Sequence, residues 1–272
     1  MLQTSLEGQL PATSFRLYAE AFGDFDSGKA KSIRTAVAFA NRSESDAAVR
    51  LDLTSLDGRL LGTSAPIRIQ PNGQVAMFLN QVPGFETLTG AFTGFLRVTA
   101  TSGAITAAGL RTMYNESGIF LITTTGPLNE DASSPARLIF PYVADSTGYT
   151  SQIILTSASP EQNISGTLRF FSQDATPLQL ADLRTGSVHV VPFAGFSTPH
   201  VHAIVSHQVE GKTVFQTAVE GELPGTSFRL YAEALGDFDA AAAGSTRTNI
   251  ALANPFDVPI SVRLSPRRST AS

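Results

Sequence analysis

The feature that most constrains this chain is an internal repeat. Residues 7–26, EGQLPATSFRLYAEAFGDFD, return as EGELPGTSFRLYAEALGDFD at residues 220–239, and 17 of the 20 positions are identical. The same offset of 213 residues continues to align residue types further along, for example Asn41 with Asn254. A fixed period is typical of proteins built from stacked copies of one structural unit. The chain is therefore predicted to be a tandem array.

A more diverged copy lies between these two. Residues 120–145 align with the opening of the chain after a short insertion. In this alignment Arg16, Arg137 and Arg229 mark equivalent positions. The middle copy is then shorter than the first by about one hairpin and its loops.

The alignment predicts three units. Unit 1 covers residues 1–117, a shorter unit 2 covers 118–212, and an incomplete third unit covers 213–272. The chain opens on repeat sequence with no signal peptide ahead of it, which favours a fragment of a longer protein. In an alternative phase, each unit's opening strand belongs to the preceding unit, and the alignment leaves both phases open.

Nearly every segment is predicted to be a β-strand. In residues 15–20 apolar and polar side chains alternate, and this period of two places one face of a strand in the core. Turn signals such as Asp57-Gly58 and Glu210-Gly211 lie between the strands. About seven short strands per unit, separated by such turns, are typical of an immunoglobulin-like sandwich. The predicted fold class is all-β, with tandem immunoglobulin-like antiparallel β-sandwich repeats.

The third unit is expected to lack the strands that would cover its core face. Its predicted strands lie near residues 213–219, 228–234, 248–253 and 260–264. Uncovered strand edges are templates for pairing with another chain, so self-association through this unit is expected. Deleting residues 213–272 is expected to leave the stability of the first two units nearly unchanged. The apolar side chains expected to be half covered are Phe228, Leu230, Ile250, Leu252, Val262 and Leu264.

Composition excludes several classes of protein. A net charge of −4 and a pI near 5.6 argue against a nucleic-acid partner. No apolar run approaches the ~18 residues that a membrane span needs. The absence of cysteine excludes disulfides and thiolate metal sites. No cofactor is expected.

Long phrases of the chain also resemble a known family. They are FRLYAEAFGDF at residues 15–25, NGQVAMFLNQVPGF at 72–85, GLRTMYNESGIFLITTTGPLNE at 109–130 and GYTSQIILTSASPEQNISGTLRFFSQ at 148–173. They resemble a repetitive β-sandwich domain of large bacterial proteins that are predicted to be secreted. The resemblance implies an exported, multi-copy, immunoglobulin-like array at the cell surface or outside the cell. It transfers no functional residue to this chain.

The sharpest candidate for chemistry is a group of histidines. His200 and His202 lie two apart, on one face of a predicted strand, and a hairpin at residues 193–199 would bring His189 alongside. Three neutral imidazoles that converge form a known zinc geometry. The equivalent region of unit 1 has no histidine, so the expectation is that His189, His200 and His202 do not bind zinc tightly.

Two further patterns have candidate roles. The turn sequence GDFD, at residues 23–26 and again at 236–239, offers paired carboxylates but too few oxygens for a calcium loop. The polar row Arg16, Tyr18 and Glu20 would form a small ligand platform or, as we expect, a solvated sheet face.

These observations favour a non-catalytic module. We expect an extracellular structural, spacer or adhesion module that is not an enzyme, and whose partners are surface proteins or glycans. A carbohydrate-binding module is the alternative, although the chain has no tryptophan and five tyrosines for stacking on sugars. A metal-dependent hydrolase that uses the histidines is the remote alternative.

Overall fold

The computed structural model describes residues 8–130, 136–157, 164–240, 242–256 and 258–265. Among these residues the protein is all-β, and every strand pair is antiparallel. The helical elements in this part of the chain are two single 3₁₀ turns, η1 at Leu79–Gln81 and η2 at Leu180–Asp182. None of its helices is long and apolar enough to cross a membrane.

The first block, residues 8–130, is one ten-stranded sheet folded over on itself, compatible with a β-sandwich. Its main path runs β4-β3-β7-β1-β2-β8-β9, while β10 pairs with β1, β5 with β3 and β6 with β2. Its core includes Phe15, Leu17 and Ala19, so the alternation predicted for β1 is confirmed. The strands are β1 Ser14–Phe22, β2 Ile33–Asn41, β3 Ala47–Ser55, β4 Leu60–Thr63, β5 Ile67–Ile69, β6 Gln74–Phe78, β7 Phe92–Ser102, β8 Ile105–Tyr114, β9 Phe120–Thr125 and β10 Leu128–Asn129.

The second block, residues 136–222, consists of two smaller sheets around a separate core. One sheet has the order β11-β15-β13-β14, and the other has the order β12-β16-β17. Apolar side chains from both sheets, among them Phe140, Val188 and Ala203, form the core between them. The strands are β11 Leu138–Ala144, β12 Tyr149–Thr156, β13 Gly166–Ser172, β14 Pro177–Leu178, β15 Thr185–Pro192, β16 His200–Val209 and β17 Lys212–Glu220.

The third segment, residues 223–265, has little pairing of its own. Its described strands are β18 Ala234–Leu235 and β19 Thr246–Arg247, which pair with each other. No strand is described at 228–233, 248–253 or 260–264, where the sequence predicts strands, because these residues do not pair with another strand among the described residues. The six apolar side chains expected to be half covered are exposed by 44% to 63%.

A hydrogen-bond pair shows that the sequence repeat is matched in local structure. The backbone N–H of Glu20 donates to Thr35 Oγ1 at 2.8 Å, and the Thr35 hydroxyl donates to the Glu20 carbonyl at 3.0 Å. Thr35 thus ties the start of β2 to the end of β1. The same pair of hydrogen bonds recurs in the other two copies, at Ala144 with Ser151 and at Glu233 with Thr248.

The predicted equivalence of Arg137 with Arg16 is wrong, as the register of the strand pairs shows. Arg16 lies opposite Arg97 on β7, whereas in the second block it is Ile139 that lies opposite His189 on β15. Arg97 lies three residues after Gly94, and His189 lies three residues after Gly186; the two glycines have the same contacts in their blocks. Arg97 and His189 are therefore equivalent, and so are Arg16 and Ile139. The pairing of β11 with β15 shifts between Phe140 and Val143, and a sequence alignment without a gap there misses this shift.

The strand pairings bear on the phase of the repeat. The predicted boundaries at 117/118 and 212/213 each precede a strand that pairs backward, since β9 pairs with β8 and β17 pairs with β16. These pairings favour the alternative phase, in which each opening strand belongs to the preceding unit. Deleting residues 213–272 would remove β17 from the second block, so that deletion does not isolate the third segment.

Two equivalent glycines allow adjacent strands to approach closely. A Cβ on Gly94 would lie 1.9 Å from the Thr54 carbonyl oxygen, and one on Gly186 would lie 1.9 Å from the Phe171 carbonyl oxygen. Contacts this short force the backbone to move. The glycine position is therefore a steric requirement shared by both blocks.

We predict that Gly94→Ala and Gly186→Ala each lower the free energy of unfolding by roughly 1–3 kcal/mol, the cost of overpacking. The matched control is Gly90→Ala, because a Cβ there meets no atom within 4 Å. Urea denaturation of the three variants measures the effect. Equal stability of the Gly90 and Gly94 variants would contradict the steric requirement.

Candidate functional site

The three candidate histidines are not brought together. His189 lies on β15, while His200 and His202 lie on β16 in the other sheet, so residues 193–199 cross between sheets instead of forming a hairpin. The His189 ring packs against Phe171 with centroids 4.6 Å apart. Among the described residues, no group of three or more His, Asp or Glu side chains is placed to hold a metal ion.

The GDFD turn is organised around its aromatic residue. Phe25 is buried against Phe78, Tyr114 and Phe120. The two carboxylates point to separate partners, since Asp26 pairs with Arg34 and Asp24 accepts the N–H of Ser27. The turn therefore anchors a loop to the sheet, and its carboxylates do not converge.

The polar row of β1 lies in a different environment from the one predicted. Tyr18 is 3% exposed and Glu20 is 8% exposed, so this face is not solvated. Tyr18 packs with Phe95 of β7 and with Ile154 and Ile204 of the second block. The row forms the junction between the two blocks, which the sequence did not indicate because alternation does not show what covers a face.

An ion pair forms the centre of this junction. The Arg111 guanidinium pairs with the Glu20 carboxylate and also donates to Gln216 Oε1 of β17. The side chains of Arg111 and Glu20 are only 7% and 11% exposed. A buried pair of this kind is sensitive to the loss of one partner, because the remaining charge is left without compensation.

Tyr18 links the ion pair to the second block. Its hydroxyl donates to Glu20 Oε2 at 3.2 Å and accepts from Gln152 Nε2 at 3.1 Å. Burial, together with the nearby Glu20 carboxylate, raises the pKa of Tyr18 to about 12. The phenol is therefore a neutral donor at physiological pH, and its role in this arrangement is structural.

A second charged cluster lies at the other end of the row. Glu130 accepts hydrogen bonds from Arg16, Arg97 and Ser14. Burial acts to raise the pKa of Glu130, but these hydrogen bonds together lower it below its usual value. The cluster fastens the chain that leaves the first block onto β1 and β7.

The edge of β17 is covered by side chains of the first block. Asn115 Nδ2 donates to the Thr213 carbonyl at 2.7 Å, and Glu116 Oε2 accepts the Thr213 N–H at 2.6 Å. Further along, the Ala218 N–H donates to Thr123 Oγ1 at 3.0 Å. Backbone groups of an edge strand are thereby satisfied within the chain, which removes a template for pairing with another molecule.

His202 is the one junction side chain with an unsatisfied polar atom among those described above. Its ring meets Tyr18 edge to face at 6.1 Å, beside a cavity of about 130 Å³, and Nε2 has no hydrogen-bond partner among the described residues. Burial and the neighbouring His200 lower the pKa of His202 to about 4. The imidazole is thus held neutral at the junction.

A larger cleft lies between the second block and residues 249–256 of the third segment. Its volume is about 1310 Å³, and its walls include Arg137, Tyr142, Arg169 and His189. Burial and the positive charges of Arg137 and Arg169 lower the pKa of His189. Ser172 also lines the cleft, and its hydroxyl donates to the Asp174 carboxylate and to the Thr176 carbonyl within an exposed turn.

Comparisons with known proteins give little further guidance. No protein-family model matches the chain, and no curated protein sequence matches it. Among solved structures, the chain is similar to the crystal structure of Thermotoga maritima 1070, with 9% sequence identity and a TM-score of 0.33. The match covers 42% of this chain and 90% of that one. At these values the likeness carries no argument about fold or function.

We predict that Arg111→Val lowers the free energy of unfolding by roughly 3–5 kcal/mol, because it leaves the Glu20 carboxylate buried without its partner. The double variant Glu20→Ala/Arg111→Val should recover much of this loss. It copies the second block, where Ala144 and Val205 stand at these two positions. Urea denaturation of both variants is the measurement, and costs that simply add would contradict a coupled pair.

We predict that acid weakens the junction through His202. Its pKa is near 6.5 unfolded and about 4 folded, so the stability it confers is complete above pH 6.5 and is lost as the pH falls toward 4. His202→Phe should remove about 2 kcal/mol of pH dependence between about pH 8 and about pH 5. His207→Phe is the control, since His207 stacks on Tyr149 away from Tyr18. An unchanged slope in the His202 variant would overturn the assignment.

Proposed function

We propose that the chain is a non-catalytic structural module, a spacer or adhesion element built from tandem immunoglobulin-like β-sandwiches and working at the cell surface or outside the cell. The sequence repeat and the recurring hydrogen-bond pair of Glu20 with Thr35, Ala144 with Ser151 and Glu233 with Thr248 support this proposal. In such an array the function depends on shape and spacing, so that no single catalytic group is needed.

The observation that carries the proposal is the junction between the first and second blocks. It contains a buried ion pair, a buried tyrosine with two hydrogen bonds and a covered strand edge. Directional bonds of this kind have one good geometry, whereas a flexible tether would permit many. A fixed angle between neighbouring blocks is what a spacer requires.

The carbohydrate-binding alternative needs exposed aromatic rings. Of the five tyrosines, Tyr18 is buried in the junction and Tyr114 packs on Phe25 and Phe120. Tyr231 is 81% exposed, but it belongs to the third segment. The exposed large aromatic residues described in the first two blocks are phenylalanines, Phe22, Phe193, Phe196 and Phe215, and not tyrosines, so glycan binding stays the second choice. The hydrolase alternative is weaker still, because His189 lies in a different sheet from His200 and His202.

We predict a narrow distance distribution between spin labels placed on the two blocks. The chain has no cysteine, so Arg59→Cys in the first block and Gln173→Cys in the second give one label each, at exposed positions. Double electron–electron resonance should give a single narrow peak. Adding Arg111→Ala should broaden the peak, because it removes the ion pair and the bond to Gln216.

The matched control adds Arg68→Ala instead, since Arg68 forms an exposed ion pair with Asp46 far from the junction. The peak should stay narrow in that variant. A broad distribution in the chain without any junction substitution would show that the blocks move independently, and the proposal of a fixed spacer would then fail.

A further inference from the structure

Two residues that line the large cleft are the structural counterparts of residues through which the first block contacts the second. Thr35 lies opposite Arg111, and its counterpart Ser151 lies opposite Val205. Continuing across the sheet, Arg111 lies opposite Thr123, and Val205 lies opposite Thr217. Val205 and Thr217 are therefore the structural counterparts of Arg111 and Thr123, and both line the cleft.

At the first junction this edge is covered by strands. Arg111 donates to Gln216 and Thr123 accepts from Ala218, so β17 lies across the edge, with β16 beside it. Where the second block meets the third segment, which we call the second junction, no described strand lies across Thr217, and this side chain is only half-buried, whereas Val205 beside it is already buried. The cleft thus occupies the place that the strand pair β16–β17 takes at the first junction.

The third segment already occupies the next strand position. Residues 249–254 are the counterparts of 36–41 in β2, and they form the far wall of the cleft. Arg137 donates to the Pro255 carbonyl at 2.7 Å. This hydrogen bond joins the third segment to the second block, so the far wall of the cleft is attached near Pro255.

The third segment offers a strand edge and a charge that define its partner. In the first block, β8 pairs with all of β2, and its Arg111 reaches Glu20. Glu233 is the counterpart of Glu20, because its N–H donates to Thr248 as the Glu20 N–H donates to Thr35. Where the second block has Ala144 in place of this glutamate, it also has Val205 in place of the arginine. Glu233 thus calls for a strand that carries arginine, as β8 does.

Resting on the proposed function, we propose that the cleft is the docking site for an antiparallel β-hairpin of the β8–β9 type, supplied by a further copy of the first block's sequence. The hairpin extends the edge of residues 248–254, with its arginine opposite Thr248 and facing Glu233. Main-chain hydrogen bonds to an exposed strand edge supply affinity, and the side chains set the register. Docking covers the exposed Ile250 and Leu252 on one side and the half-buried Thr217 on the other.

The register makes a steric demand on the hairpin. Gly109 of β8 lies opposite Val37, the counterpart of Ile250. A Cβ on Gly109 would lie 2.3 Å from Thr125 Oγ1 and 2.8 Å from Leu17 Cδ2. Leu230 is the third segment's counterpart of Leu17. A hairpin with a β-branched residue at this position should therefore fail to dock.

The test completes the third copy with the chain's own sequence. Residues 53–130 are appended after Ser265 in place of residues 266–272, because Ser265 aligns with Asp52. Hydrogen exchange at residues 248–254 should slow ~100-fold or more relative to the original chain, since amides in a paired strand open rarely. Exchange at residues 215–219 should also slow. The matched control carries Gly109→Val in the appended copy alone, and there neither region should be protected.

Two results would overturn the proposal. One is equal protection with and without the valine, and the other is no protection in either extended chain. An acidic oligosaccharide added to the original chain is the competing probe, since Arg137 and Arg169 line the cleft. Protection by that probe alone would make the cleft a ligand site. The spin-label distance between the first two blocks is independent of the extension, so failure here leaves the proposed function to its own test.

Discussion

The arrangement of the two blocks depends on the edge of one strand, β17. An edge strand exposes backbone donors and acceptors that pair readily with another chain. In this protein the first block supplies side-chain partners to Thr213 and Ala218, so part of the edge is satisfied without a further strand. The same contacts fix where the second block lies, because each bond is directional. The same hydrogen bonds therefore protect the edge of β17 and orient the two blocks.

Burying charge at this junction is expensive unless every charge has a partner. Arg111 and Glu20 satisfy each other, and Gln216 takes a further guanidinium hydrogen. Such a network contributes less to stability than an apolar contact of the same size, but it excludes shifted arrangements that would leave one ion unpaired. Tyr18 restricts the arrangement in the same way, since its buried hydroxyl is hydrogen-bonded to both Glu20 and Gln152. The hypothesis for this protein is that polar burial selects one angle between blocks.

Much of the fold follows from the sequence pattern, and the site does not. The period of two correctly placed Phe15 and Leu17 in the core, and the turn at Asp57-Gly58 lies where the pattern predicts it. Alternation assigns residues to two faces but does not show which face a neighbouring unit will cover. For that reason the row at Tyr18 was predicted to be solvated, whereas it is buried.

Two further sequence predictions, the approach of His189 to His200 and the equivalence of Arg137 with Arg16, are wrong because they depend on contacts distant in sequence. The pattern of His200 and His202 showed that they share a face, but only the sheet order shows that His189 lies on the opposite sheet. The shift of register within β11 misplaced Arg137, because sequence alignment treats a bulge as an ordinary residue. Sheet membership and register depend on contacts distant in sequence, and a single sequence does not display them.

The three copies differ at one pair of positions in a way that physical chemistry explains. The first copy has Glu20 with Arg111, and the second has Ala144 with Val205. A lone buried ion would be costly, while replacing both partners by apolar groups is often nearly neutral, so the two positions are expected to change together. The third copy returns to glutamate with Glu233 and keeps the tyrosine two residues before it, which donates to Glu233 at 2.7 Å. In sequence and in local bonding this copy therefore resembles the first more than the second.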